Sequence, residues 1–251
     1  MNEAVATVPY DWLVPDWPAP ANVRACVTTR TEGRSVAPFA GFNLGMHVGD
    51  SALQVQANRA HLAELLECQP TWLEQVHGNR VVTANAEQVL IADASVSRSL
   101  GLACSIMSAD CLPVLLTDQA GSCVAAAHAG WRGLQAGILE NTVAAMEVES
   151  DQVLAWLGPA IGINAFEVGA EVREAFIQLQ PQAQQAFSPS VRQGRWMADI
   201  YQLARLRLAA CGVTAVYGGG FCTVTDPRFY SYRQQAVTGR FASLVWLAEK
   251  S

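Results

Sequence analysis

Apolar residues are most concentrated in the middle of the chain, between Gly101 and Gly133. This region predicts three strands, of which the last two are joined by a turn at Asp118–Gly121: Leu102–Met107, Leu112–Thr117 and Ser122–Ala127. The runs are continuously apolar and rich in Val, Leu, Ile and Cys. Such runs are typical of strands that are covered on both faces. We therefore expect the centre of the fold here.

Apolar positions elsewhere recur with helical or strand spacing, and the two kinds of segment are interspersed. The predicted helices are one that Asp50 or Ser51 caps and Pro70 ends, then Leu134–Met146, Val168–Leu179 and Asp199–Cys211. The further predicted strands are Val23–Thr29, Trp72–Val76, Arg80–Ala84, Val153–Leu157, Val213–Tyr217 and Phe241–Trp246. This order favours a mixed-sheet α/β or α+β fold over a doubly wound parallel sheet. Because no linker or repeat divides the chain, we expect a single domain over residues 1–251.

Charge and composition argue against several classes of protein. The 251 residues are 51% hydrophobic and carry a net charge of −6, which argues against a nucleic-acid partner because phosphate binding needs a basic face. No apolar run is long enough to predict a membrane span. The first twenty residues lack the basic start and apolar core of a signal peptide. Seven cysteines without a C-x-x-C pair favour the reduced cytoplasm.

Three residues bring chemistry into the apolar strands: His77, Cys111 and His128 each stand at a strand end beside Gly or Pro. Such groups are costly to bury unless they are paired, liganded or used. Two imidazoles and a thiolate form an open three-ligand zinc site, and the same set occurs in trigonal blue-copper sites. A metal-free site, with Cys111 as nucleophile and a histidine as base, is the third possibility. Taken singly, each residue is more often structural, and spacing leaves these alternatives open.

Two neighbouring features suggest anion binding or proton transfer. The corner from His128 to Gly133 opens a helix, and free N–H groups there together with Arg132 could bind an anion; a tight turn with a surface arginine is the alternative. Asp110 could orient a ligand, act as a base or cap a turn. Arg233 and Arg240 could hold a phosphate or simply be solvated.

The wording of several motifs resembles one known family, the bacterial laccase-domain family. It is also called multicopper polyphenol oxidase-like, or the purine nucleoside phosphorylase family with a Cys-His-His metal site. The resemblance extends from about Val14 to Leu247. The motifs that carry it are Glu74–Gly78, Ser108–Pro113, His128–Gly133, Phe42–Gly45, Trp156–Gly162 and Tyr230–Arg233.

The resemblance implies a fold, a metal site and several activities. The implied fold is a single α/β domain with mixed sheets sandwiched between helices, similar to the catalytic domain of cytotoxic necrotizing factors. The implied metal ligands are His77, Cys111 and His128, with zinc usual and copper reported. The implied activities are phosphorolysis of adenosine, inosine and methylthioadenosine, and adenosine deamination. Polyphenol oxidation and a peptidoglycan-editing role, which removes misincorporated serine from a cell-wall precursor, belong to the same family.

The hypothesis that follows is a cytoplasmic, monomeric, zinc-dependent purine nucleoside phosphorylase with adenosine deaminase activity. In it the metal ligands act together with Asp110, either Cys111 or Asp110 handles protons, and phosphate lies at the amides near Gly130 with Arg132. Asn43 and Arg59 contact the substrate, which requires the first helix to face the cleft. The alternatives are a Cys-His amidohydrolase acting on cell-wall precursors, a copper polyphenol oxidase and a non-catalytic metal-binding module. No nucleic-acid or membrane partner is expected.

Overall fold

Two mixed β-sheets lie face to face between two layers of helices. The computed structural model describes residues 11–249, so part of the expectation about a signal peptide, on residues 1–10, lies outside the described residues. The α-helices are α1 Ala52–Leu66, α2 Trp131–Gln135, α3 Ile138–Ala145, α4 Ala170–Leu179 and α5 Ile200–Ala210, and the 3-10 turns are Ser150–Gln152 and Pro181–Ala186. The strands are β1 Val23–Val27, β2 Gln69–Thr71, β3 Leu73–Glu74, β4 Val81–Thr83, β5 Leu90–Ile91, β6 Ala94–Ser97, β7 Leu102–Ser108, β8 Leu112–Asp118, β9 Val124–Ala129, β10 Val153–Leu157, β11 Glu167–Gly169, β12 Phe187–Pro189, β13 Arg195–Ala198, β14 Ala215–Gly218 and β15 Phe241–Leu247.

The larger sheet has six strands in the order β14-β10-β8-β9-β6-β4, and the second has four in the order β1-β15-β7-β2. Both are mixed: β10 is parallel to β14 and β6 to β4, whereas β8, β9 and β6 pair antiparallel. Three short strands (β11-β13-β12) and the pair β3-β5 form two small sheets. The expectation of a mixed α/β fold is therefore confirmed.

The continuous apolar runs are explained by this layering, because both faces of the central strands are covered. Along β8, Val114 and Leu116 belong to the core beneath α2, α3 and α5, while Leu115 lies in the core between the two sheets. Along β15, Leu244 lies in a third core, under α1 with Leu62. The sheets are therefore sandwiched between helices, as the resemblance implied.

Several predicted elements need correction. The helix predicted over Leu134–Met146 is two helices, because Gly137 adopts φ +93° between α2 and α3. The strand predicted over Trp72–Val76 is reduced to β3. The helix predicted over Val168–Leu179 begins only at Ala170, because the residues before it pair with β13. The chain also changes sheets between β7 and β8, so these two central strands do not lie in one sheet.

Among residues 11–249, no helix is both long and apolar enough to cross a lipid bilayer.

Candidate metal centre

The register of the six-stranded sheet brings Cys111 and His128 to the same edge. His128 lies near the end of β9 and pairs with Pro113 at the start of β8, so Cys111, in the turn just before β8, lies beside it. On the other side of β9, Ala127 pairs with Ala94 at the start of β6. The residue before β6, Asp93, therefore also lies next to His128, and its carbonyl accepts the His128 N–H at 2.7 Å.

His77 reaches this edge on the loop between β3 and β4, and a buried carboxylate holds that loop. The carboxylate of Asp93, which is fully buried, accepts the N–H groups of Val76, His77 and Gly78 at 3.2, 2.9 and 2.7 Å. These three donors converge because His77 adopts a left-handed backbone, φ +60°. The same carboxylate lies 2.9 Å from His128 Nδ1. Asp93 thus orients the ring of His128 and holds the backbone of the loop that carries His77.

The spacing of the three side chains suits a metal ion. One ligand atom from each of His77, Cys111 and His128 lies within 4.8 Å of the others, and Cys111 Sγ lies 3.7 Å from His77 Nε2. Zinc binds nitrogen at about 2.1 Å and sulfur at about 2.3 Å, which separates tetrahedral ligand atoms by roughly 3.5 Å. Because His128 Nδ1 contacts Asp93, its Nε2 is left for the ion, as in carboxylate–histidine–metal arrangements. The residues fit a resident metal.

The backbone at Gly130 keeps the space beside the cysteine sulfur open. A Cβ on Gly130 would lie 2.9 Å from Cys111 Sγ and 3.3 Å from His77 Cδ2. The first distance is shorter than any ordinary van der Waals contact, so a side chain there would push the sulfur aside. The glycine is required by this close approach and not by its backbone angle, since φ is −57°.

We expect Gly130→Ala to weaken metal binding by roughly tenfold or more while the protein stays folded, because ligand sites tolerate displacements of only about 0.5 Å. Metal affinity would be measured by competition with a chromophoric chelator, and folding by circular dichroism. An unchanged affinity would show that the sulfur is not confined as the structure has it.

The charges of the three side chains and Asp93 are coupled. Burial disfavours a thiolate at Cys111, but the positive charge of His128 and hydrogen bonds from both histidines outweigh it and lower the Cys111 pKa to about 6. Burial also disfavours an imidazolium at His128, yet the Cys111 thiolate and the Asp93 carboxylate raise the His128 pKa to about 9. For Asp93, burial is outweighed by hydrogen bonds from His128 and Gly78, and its pKa is lowered. Without metal, a thiolate–imidazolium pair therefore exists between about pH 6 and about pH 9.

We expect alkylation of Cys111 by iodoacetamide in the metal-stripped protein to rise with pH through a midpoint of about 6, because the thiolate is the reactive form. The stabilisation from this pair is lost as pH falls through about 6, where Cys111 protonates, and as pH rises through about 9, where His128 deprotonates. Mass spectrometry would quantify the modified peptide from pH 5 to 10. Cys211 serves as reference, since burial and the charge of Glu140 raise its pKa. A Cys111 midpoint near the ordinary 9.0 would contradict the coupling.

A cavity of about 320 Å³ opens over the three side chains. The apolar residues of its lining include Met107, Trp131, Ile161, Phe166 and Ile200. The polar residues of the lining include His47, Gln75, Tyr232, Arg233 and Arg240. Ligand sites commonly combine an apolar wall with a few converging polar groups. The cavity can therefore hold a small molecule in contact with the metal-binding group.

A larger groove of about 760 Å³ lies elsewhere, along β1 and the end of β15. Its lining includes Trp17, Arg24, Leu66 and Trp246, and within the described chain it contains no histidine or cysteine. The smaller cavity is the candidate site because it holds the reactive groups.

Asp110 lines the cavity, but both oxygens of its carboxylate are already engaged. Oδ1 accepts the Thr223 hydroxyl and Oδ2 accepts the Arg233 N–H, each at 2.6 Å. The residue has φ +93°, a strained conformation for a non-glycine residue. Its observed contacts hold the turn that carries Cys111, and its predicted catalytic role stays a prediction.

Asn43 and Arg59, two of the predicted substrate contacts, are not among the cavity-lining residues of the described chain, and their substrate roles stay predictions. Asn43 is fully buried, and its Oδ1 accepts the N–H groups of Gly45 and Arg240 at 2.9 and 2.8 Å. Arg59 donates to the Leu44 carbonyl at 2.9 Å and stacks on Trp72, so α1 does send it toward this end of the molecule.

Arg132 is exposed, and its guanidinium lies over the ring of Trp131, 4.6 Å from the centroid. It is absent from the lining of the cavity within residues 11–249. Its helix, α2, is only five residues long, which gives little support to an anion site there.

Sequence analysis missed two residues that shape the site. Asp93 carried one signal, a single carboxylate placed directly before a buried strand. Gln75 fixes the position of Met107 in the cavity lining, because its side chain exchanges two hydrogen bonds of 2.9 Å with the backbone of Met107. Nothing in the sequence pairs Gln75 with Met107, since these two residues are 32 positions apart.

Comparisons with known proteins match nearly the whole chain, under two activity names. Residues 24–248 match the model of a family described as multi-copper polyphenol oxidoreductase laccase. A Pseudomonas aeruginosa protein named purine nucleoside phosphorylase is 62% identical over 239 residues, which cover 95% of this chain and 99% of the relative. The Escherichia coli purine nucleoside phosphorylase YfiH is 51% identical over 241 residues, which cover 94% of this chain and 98% of the relative.

Two solved structures are similar over nearly their whole length. A crystal structure from Neisseria meningitidis has a TM-score of 0.93 and 48% identity, with 96% of this chain and 100% of that chain covered. The structure of YlmD from Geobacillus stearothermophilus has a TM-score of 0.89 and 28% identity, with 96% of this chain and 97% of that chain covered.

Proposed function

This chain belongs to the multi-copper polyphenol oxidoreductase laccase family, and from that premise we propose that it is a purine nucleoside phosphorylase acting at His77, Cys111 and His128. The observation that carries the proposal is the cavity of about 320 Å³, which these three side chains line together with apolar residues and cationic groups. The names of the relatives support the same activity.

In this reaction an oxygen of inorganic phosphate bonds to C1′ of the ribose while the bond from C1′ to the purine nitrogen breaks. The purine leaves with the electron pair of that bond and takes up a proton, and ribose 1-phosphate is the second product. The apolar lining residues suit the purine ring, because aromatic side chains stack on such rings. They include Trp131, Ile161 and Phe166.

The metal that we assign to the three-ligand group is zinc, and copper is the other metal that this donor set accepts. When bound, zinc supplies a Lewis acid, which accounts for the additional deamination of adenosine that we include in the proposal. Asp93 orients the ring of His128 and holds the backbone of the loop that carries His77. The contacts of Asp110 hold the turn that carries Cys111.

The first test is product formation from inosine by the purified protein, with and without phosphate, alongside metal analysis. We expect hypoxanthine and ribose 1-phosphate only when phosphate is present, with adenosine and methylthioadenosine as further substrates. A zinc-loaded, folded protein that produces neither product would overturn the proposal. A blue absorption band with oxygen consumption on phenols would identify a copper oxidase instead.

A Cys-His amidohydrolase acting on cell-wall precursors is the second candidate, and the thiolate–imidazolium pair of Cys111 and His128 favours it. A thiolate formed near pH 6 is a ready nucleophile. Release of serine from a serine-bearing muropeptide precursor in phosphate-free buffer would support this activity. If only phosphate-dependent nucleoside cleavage is found, the amidohydrolase is excluded.

The cytoplasm is the compartment that we propose, since the seven cysteines are all free and free thiols persist in reducing conditions. A monomer whose partners are small molecules completes the proposal.

A further inference from the structure

We infer that Arg240, together with His47, forms a phosphate subsite in the cavity that Cys111 also lines. The inference rests on the proposed function, because it names where the phosphate co-substrate binds. It also relocates the anion site that the sequence suggested at Gly130 and Arg132.

Arg240 is held rigidly at the start of β15. Its N–H donates to Asn43 Oδ1 at 2.8 Å and its carbonyl accepts the Leu44 N–H at 3.0 Å. Its side chain packs so closely on Gly45 that a Cβ there would lie 2.9 Å from Arg240 Cγ. Nη1 donates to the carbonyls of Thr238 and Gly239 at 3.0 and 2.9 Å. The guanidinium is therefore fixed before any ligand arrives.

The remaining donors of this guanidinium are free to bind a ligand. Within residues 11–249, Nε and Nη2 of Arg240 donate no hydrogen bond, and no carboxylate lies at ion-pair distance. Asp110 is the nearby acid, but its two oxygens are occupied by Thr223 and Arg233. A partly buried guanidinium is costly without an anion at ion-pair distance, and burial lowers the pKa of Arg240 although the charges of Cys111 and Asp110 oppose this shift. Phosphate would supply that partner with paired acceptors.

The surroundings of His47 are electropositive because two arginines lie nearby. Burial lowers the pKa of His47, and the positive charges of Arg240 and Arg59 lower it further. The neutral imidazole that results still carries one N–H donor. Arg59 keeps its charge close by, because its guanidinium is anchored to the Leu44 carbonyl and stacked on Trp72. A protein of net charge −6 thus places two arginine charges close to His47.

The contrast with Arg132 is direct. Arg132 is exposed and lies over its neighbour Trp131, whereas Arg240 and His47 share the cavity lining with Cys111. A phosphate held by Arg240 therefore lies in the same cavity as the group that we propose for the reaction.

The experiment compares the zinc-loaded protein with Arg240→Gln, Arg240→Lys, His47→Gln, Arg132→Gln and, as a matched control, Arg34→Gln. Arg34 is an exposed arginine whose backbone N–H alone hydrogen bonds, to Asn58. Calorimetric titration with inorganic phosphate, and separately with acetate, measures binding without turnover. The Michaelis constants for phosphate and inosine are measured in parallel, and zinc content with circular dichroism confirms that each variant is intact.

We expect Arg240→Gln to weaken phosphate binding and raise the Michaelis constant for phosphate about tenfold or more, because charge-assisted hydrogen bonds of this kind are lost. The constant for inosine should change less than about twofold. Arg240→Lys should restore part of the affinity, since the charge remains but the planar fork does not. His47→Gln should weaken phosphate binding less, and Arg132→Gln and Arg34→Gln should leave it unchanged.

Unchanged phosphate binding in both Arg240→Gln and His47→Gln would overturn the subsite, as would loss of binding in Arg132→Gln. Equal binding of acetate and phosphate would identify a general carboxylate site and overturn the phosphate assignment. If phosphate binds through Arg240 but inosine is not cleaved, the subsite stands and the proposed phosphorylase activity fails.

Discussion

Replacement of Cys111 by alanine is expected to abolish stoichiometric zinc binding and to reduce phosphorolysis at least about a thousandfold, while the fold persists. The sulfur is the only anionic ligand in the group, and two histidines alone do not complete the three-ligand set of a catalytic zinc site. Loss of metal-derived charge stabilisation alone is worth several kcal/mol. Zinc would be counted by elemental analysis, and turnover followed as hypoxanthine release.

The matched control is Cys211→Ala, which removes a free thiol at the end of α5 whose Sγ donates to the Leu208 carbonyl. That variant should keep both zinc and activity. If Cys111→Ala stays folded and still cleaves inosine at the normal rate, the reaction takes place elsewhere in the protein.

Replacement of Asp93 by asparagine is expected to reduce metal affinity about 10- to 100-fold, since partners that orient ligands have effects of this size. The same change should lower the free energy of unfolding by about 3 to 5 kcal/mol, the usual cost of removing one member of a buried ion pair. Three N–H donors and His128 Nδ1 converge on this carboxylate, and an amide turns its own N–H₂ group toward some of them. Chelator competition and urea unfolding would measure the two effects.

Asp118→Asn separates the two consequences. Asp118 is also a buried carboxylate, and it accepts the N–H groups of Ser122 and Cys123 in the turn between β8 and β9. Its replacement should destabilise the fold and leave metal affinity unchanged. If Asp93→Asn lowers stability but not metal affinity, Asp93 has only a structural role.

The sequence was informative where local pattern and burial agree. Strand β10 has the predicted bounds, Val153–Leu157, because this short apolar run is preceded by polar residues and followed by Gly158 and Pro159. The continuously apolar centre was also predicted, since strands covered on both faces need no alternation. The prediction of one continuous helix over Leu134–Met146 was wrong. Gly137 adopts φ +93°, and helical spacing of apolar residues does not reveal such a break.

The site could be predicted only as a set of residue types. Resemblance to the family brought His77, Cys111 and His128 together, and the structure places them within 4.8 Å of one another. The contacts of Asp93 with the His77 loop and with His128 depend on the register between β6 and β9, which sets the residue next to His128. The sequence does not specify that register. The same holds for Arg240, which is near Asn43 in space although the two are 197 residues apart.

The three metal-binding side chains come from three separately built parts of the fold. His128 belongs to the six-stranded sheet, His77 to the loop after the small β3-β5 sheet, and Cys111 to the turn through which the chain passes from one large sheet to the other. An ion bound by all three would cross-link these parts of the fold. Its binding free energy is then added to the stability of the whole assembly, about 4 kcal/mol when free metal exceeds its dissociation constant a thousandfold. The melting temperature of this protein thereby becomes a gauge of how much metal its surroundings supply.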